Sequence, residues 1–366
     1  MRAKYISMLA IAALAFTACD DDDDDDDPTL TIPSQYTSAN FDANVVAENT
    51  VINELSAMTS DVNDAESNAQ STTVDPITYP STLQSVTNGA YSMLVQTWLE
   101  EIVKAANSPN AYQQPGNEGP ASDQEGGKLG TRLLDENGLE LEQMVQKGSF
   151  GAACYNHAVN VIEAGGLTAG DIDKLVEIHG AEVTFTDSLT TAAATYSRRR
   201  SDLVARTGFF YDIRDNLIAA KAAIEAGSAF NSTRDQALAD YLANWEKSNY
   251  ATVIYYCNAT IDGITEGNSA TGLSQDTIYG NALHAYAEGV GFTHGFRGVS
   301  NKMITDAEID EILELLQAPA GQVPQSYRFL NEASLLQDLQ AAIDKIQDIY
   351  GFTNEERDSF FINNNP

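Results

Sequence analysis

Four histidines, His157, His179, His284 and His294, are all that the chain contains, and two of them have a glutamate at helical spacing. In "EIHGAEVTF" His179 and Glu182 are three apart, and in "LHAYAEGVGF" His284 and Glu288 are four apart, so on an α-helix each pair shares a face. Imidazole nitrogens and carboxylate oxygens both donate lone pairs to iron or another divalent cation. One such pair from each of two facing helices would supply a ligand set. Taken singly, a His/Glu pair is more often a surface contact or a satisfied core histidine. Other chemistries lack their parts: there is no His-Glu-x-x-His, no Gly-x-Ser-x-Gly elbow, no phosphate-binding Gly-Lys-Ser/Thr loop and no dinucleotide fingerprint. "SRRRSD", Ser197 to Asp202, is the one basic cluster, read either as a helix start held by neighbouring acids or as an anion or partner site.

The elements that must position these residues are helical in pattern. Leu335, Leu336, Leu339, Ile343, Ile346 and Tyr350 recur at spacings of three and four, one face of an amphipathic helix. Thr305 and Glu308 form a capping box ahead of Ile309, Ile312, Leu313 and Leu316, and Thr233 with Gln236 marks a similar start. Helices are expected over 41–60, 81–106, 129–146, 149–164, 171–194, 197–226, 233–262, 275–297, 305–317 and 332–350, with loops at 61–80 and 107–130. No alternating run of strand residues interrupts them, and "TFTDSLTT" is too polar for a core strand. The expected fold class is all-α, one or two packed helical bundles with no significant sheet, over residues 41–366, with possible halves 41–195 and 196–366. Cys154 and Cys257 lie in helical, partly aromatic settings, as buried free thiols or as a disulfide.

The N-terminus reads as an address. Arg2 and Lys4 precede the short apolar run "ISMLAIAALAF" and small residues before Cys19, the layout of a signal peptide over 1–18. Phe16-Thr17-Ala18-Cys19 resembles a lipobox, which would make Cys19 the lipidated first residue of the mature chain; the plainer alternative is a signal peptide with an incidental cysteine. Asp20 to Asp27 repel one another and hydrate strongly, so with the prolines that follow, 19–40 reads as an acidic, disordered tether. A formal net charge of -33 argues against nucleic acid as a partner.

"WEKSNYATVIYYCNATI" (Trp245 to Ile261), "HAYAEGVGF" (His284 to Phe292) and "ITDAEIDEIL" (Ile304 to Leu313) resemble the bacterial lipoproteins of domain-of-unknown-function family 4856, common in Bacteroidetes, and "FDANVVAENTVINELSAM" fits its opening helix more loosely. The resemblance covers most of residues 40 to 350. That family looks imelysin-like, which implies an all-helical, extracytoplasmic protein built as two related bundles and concerned with iron or haem uptake. Imelysin-like proteins carry Gly-x-His-x-x-Glu; here His179 and Glu182 match in spacing while Glu177 stands at the glycine. The resemblance also implies that Asp20, Asp21, Asp22 and Asp23 act as an export signal to the outer face of the outer membrane. The resulting expectation is a non-enzymatic, lipid-anchored surface lipoprotein, handling iron or another cation through His179, Glu182, His284 and Glu288, beside an outer-membrane transporter. A glycan-binding or adhesion lipoprotein is the alternative, since sixteen tyrosines and two tryptophans could form sugar platforms, and a metallopeptidase is the third reading.

Overall fold

The computed structural model describes residues 28–115 and 125–364. The signal-peptide reading of 1–18, the lipidation site Cys19 and the export residues Asp20 to Asp23 lie outside them. The described residues form an all-α fold with two short hairpins. In chain order, α1 (Phe41–Asn44) and α2 (Val46–Asn68) lead to α3 (Ser81–Val86) and α4 (Gly89–Ala106). The hairpin of β1 (Gly127–Leu129) and β2 (Arg132–Leu134) precedes α5 (Leu141–Ser149), which passes through a π-helical turn, Phe150–Tyr155, into α6 (Asn156–Glu163). Next come α7 (Ala169–His179), α8 (Ala192–Arg199), the β3 (Ser201–Asp202) and β4 (Thr207–Gly208) hairpin, and α9 (Phe209–Ala226). The long α10 (Asn231–Gly267) and α11 (Gly272–His294) are followed by α12 (Asp306–Leu315), α13 (Leu336–Tyr350) and α14 (Asn354–Ser359). No helix among the described residues is long and apolar enough to cross a membrane.

Where the structure departs from the expected helices, turn chemistry is the cause. The stretch expected as helix 129–146 opens as a hairpin. Asp135 Oδ1 then accepts from the backbone N–H of Asn137 (2.9 Å) and Leu139 (2.8 Å), a side-chain turn that delays the helix to Leu141. The helix expected over 171–194 stops at His179 because Gly180 adopts φ 93°, and a Cβ there would lie 2.2 Å from the Thr191 carbonyl oxygen. The β3–β4 hairpin interrupts 197–226, and Ser201 Oγ accepts from Phe210 N–H to start α9. Thr233 is not a cap, since α10 begins two residues earlier at Asn231, whereas the Thr305–Glu308 capping box forms as expected.

One continuous apolar cluster among the described residues runs from Tyr36 to Phe360, so the two possible halves share a core. Its centre is aromatic: Trp245 on α10 meets Tyr155 of the π-turn edge-on at 5.4 Å, and Tyr155 meets Phe296 at 4.6 Å. The packed body also begins earlier than Phe41. Buried Asp173 on α7 accepts from Tyr36 (2.5 Å), Ser38 (2.7 Å), Asn44 (2.7 Å) and Lys221 of α9 (2.8 Å), which pins the end of the expected tether. Cys154 and Cys257 are buried free thiols, and burial pushes each up to about 12.

The contact between α5 and α11 positions the site. At Gly291 an added Cβ would lie 2.7 Å from the Gln143 carbonyl oxygen, and at Gly295 it would lie 2.2 Å from that of Gly148. Only glycine lets the two backbones approach this closely. α5 is thereby held against the C-terminal end of α11.

Candidate metal centre

His284 and Glu288 share a face of α11, as their spacing requires, with His284 Nε2 3.5 Å from Glu288 Oε2. Across the glycine contact lies Glu140, the residue before α5, fully buried, whose Oε2 is 2.6 Å from His284 Nδ1. Glu142 follows one turn-step later on α5. One ligand atom each from Glu140, Glu142 and His284 lies within 4.8 Å of the others, the only such His/Cys/Asp/Glu group among the described residues. Two carboxylates and an imidazole converging this way form a donor set suited to a first-row divalent ion. Glu140 also shares a carboxyl–carboxyl hydrogen bond with Glu66, and its Oε1 lies 3.7 Å from Arg132.

The surrounding charges do not balance. Glu66, at the end of α2, lies 4.0 Å from Arg132, and Lys147 on α5 reaches Glu288 at 3.2 Å. Fully ionised, the four glutamates Glu66, Glu140, Glu142 and Glu288 exceed Arg132 and Lys147 by two negative charges. Buried charge must be neutralised by protons or by a cation. Burial, then the Glu140 charge, pushes Glu142 up to about 8 against the pull of Lys147. Burial raises Glu140 to about 7 against Arg132, and burial together with Glu140 raises Glu66 to about 7. His284 moves the other way, down to about 4, because burial disfavours imidazolium more than Glu288 favours it. Burial alone would lower Lys147, but Tyr196, Glu288 and Glu142 hold its proton and raise it above the usual lysine range. Near neutral pH the centre thus presents a neutral imidazole and carboxyls poised to release protons to an incoming cation.

The structure does not assemble His179 and Glu182 with this group. His179 is fully buried at the end of α7, with Nε2 3.1 Å from Ser197 Oγ and its ring edge-on to Trp245 at 4.8 Å. Glu182 lies beyond the Gly180 cap, off the helix, and accepts from the Thr186 N–H at 3.1 Å and from the Thr184 hydroxyl. The shared helix face expected for this pair is therefore not formed. His157 contacts Glu48 at 3.3 Å, away from the centre in sequence and partners.

A cleft of about 690 Å³ between α10 and α11 opens onto His284, Glu288 and Lys147. Tyr196, Tyr255 and Tyr256 form its aromatic wall, and Arg199 contributes a guanidinium 5.1 Å from the centre of the Tyr196 ring. It gives the buried centre a route to solvent. Sequence reasoning missed Glu140, Glu142 and Glu66; the signal that could have pointed to the first two is "ELE" at the start of a helix. No protein-family model, curated protein or solved structure matches the chain.

Proposed function

We propose that the protein is a lipid-anchored, extracytoplasmic binding protein that holds a first-row divalent metal ion, iron among them, through Glu140, Glu142 and His284. The observation that carries this reading is the convergence of those three ligand atoms within 4.8 Å of one another, with Glu140 and Glu142 both buried. Glu288 is the fourth candidate ligand, 3.5 Å from His284 and facing the cleft. A divalent ion would neutralise the excess of two negative charges that otherwise calls for bound protons. The anchor rests on Phe16 to Cys19, and surface export on Asp20 to Asp23. His179 and Glu182 drop out of the ligand set in this reading, and His284 and Glu288 remain.

Tag-free mature chain dialysed against Fe²⁺, Mn²⁺ or Zn²⁺ and then against buffer should retain about one equivalent by elemental analysis. Glu142→Gln and His284→Ala should lose it, whereas Glu182→Ala should keep it. A wild type that emerges metal-free, or variants that retain as much as wild type, would sink the reading. For the address, Asp20 to Asp23 replaced by alanine should leave the protein lipidated but protected from external protease.

A further inference from the structure

A second cavity of about 540 Å³ lies between α4, α5, α11 and the segment "APAGQVP", Ala318 to Pro324. Its size falls in the range of small-molecule sites, and its walls are mostly apolar, with Leu94, Met144, Val290 and Val323 among them. Trp98 on α4 stands at its side, edge-on to Tyr91 at 5.3 Å and to the His294 ring at 6.2 Å. Three rings thus frame one wall, which suits an inserted planar group.

The polar groups around the cavity are nearly all engaged elsewhere. The Tyr91 hydroxyl donates to the Met144 carbonyl (2.6 Å), Asp135 Oδ1 accepts from its own loop, Arg297 pairs with Asp310 (2.7 Å) and Glu101 pairs with Lys104. His294 contributes its ring rather than a free polar atom: its Nδ1 is buried and is turned to its own backbone. Burial, helped by Arg297, lowers His294 to about 4, so at neutral pH the ring is uncharged. Glu101, Asp135 and Glu136 at the same cavity disfavour an anion.

From the apolar walls and the three-ring frame, we propose that this cavity binds a neutral, mainly apolar small molecule carrying an aromatic ring. The cavity borders the metal centre through Leu139 and Leu141, but none of the candidate ligands Glu140, Glu142, His284 and Glu288 lines it.

N-phenyl-1-naphthylamine, uncharged, with two ring systems and one N–H, is a direct probe for the full mature chain. It should bind saturably at one per chain, with energy transfer from Trp98 in the cavity wall. Leu94→Arg should weaken binding about tenfold or more by placing a charge in the apolar wall. Val323→Arg, at an exposed loop position on the cavity rim, should do the same without touching a helix. Trp98→Phe should reduce the transfer while leaving probe emission, and His284→Ala, at a residue that does not line the cavity, should bind the probe as wild type does. Circular dichroism and cooperative melting identify variants that have kept the fold. Absence of saturable binding to wild type, or undiminished binding by both folded arginine variants, would overturn the proposal.

Discussion

Raising the pH of the metal-free protein from about 6.5 to about 8.5 should destabilise it, and a bound divalent ion should reduce the effect. Glu142 and Glu140 have folded-state pKa values of about 8 and about 7, both above the ordinary glutamate value. A carboxyl raised in this way binds its proton more tightly folded than unfolded. Its contribution is therefore fully present below the unfolded pKa and is lost as pH rises through the folded one. His284 has the opposite sign: lowered to about 4, it adds a gain of about 0.4 kcal/mol across this window as the unfolded imidazolium, half protonated at about 6.5, loses its proton. By linkage, Glu142 and Asp135, both raised to about 8, should each lose about 2 kcal/mol between these pH values, and Glu140 and Glu66, both raised to about 7, about 1 kcal/mol each. Urea denaturation in chelator at a series of pH values measures the fall. Repeating it with saturating Zn²⁺ should reduce the slope, and Glu142→Gln should remove about a third of it in metal-free protein. Stability that is flat or rising across the window, or an unchanged slope in Glu142→Gln, would refute the account of the buried carboxyls.

Other consequences test the frame around the site. Gly295→Val forces side-chain atoms against the Gly148 carbonyl, 2.2 Å from where its Cβ must sit; it should cost about 1–3 kcal/mol and weaken metal retention by parting α5 from α11, as melting and metal analysis would show. Asp173→Ala strands buried Lys221 and frees Tyr36, Ser38 and Asn44, a loss of about 3–5 kcal/mol in urea denaturation with faster proteolysis near residue 36. Cys154 and Cys257 should resist a thiol reagent in the native protein and react fully in denaturant, since burial keeps both as thiols.

Helical periodicity made the all-α class and the course of α4, α10, α11 and α13 legible, because apolar spacing along one element is a local signal. The hairpins were not, because they depend on Asp135 turning on its own backbone and on glycines at positive φ such as Gly208. The same division runs through the site. His284 and Glu288 could be paired because both lie on α11, whereas Glu140 meets His284 from 144 positions away. That meeting depends on the glycines of α11, whose packing role no spacing rule reveals. His179 and Glu182 were paired by assuming an unbroken helix, although "HG" carries a C-cap signal that Gly180 obeys. The aspartate tract remains an inference about location and the helical body an inference about binding, and each has its own test.

The most direct measurement of the central claim is an anomalous difference map from crystals of the protein soaked in Mn²⁺ and collected with a long-wavelength beam. The account predicts a single strong peak about 2.0–2.3 Å from oxygens of Glu140 and Glu142 and a nitrogen of His284. An empty map at that point, with peaks only on surface carboxylates or beside His179, would contradict it.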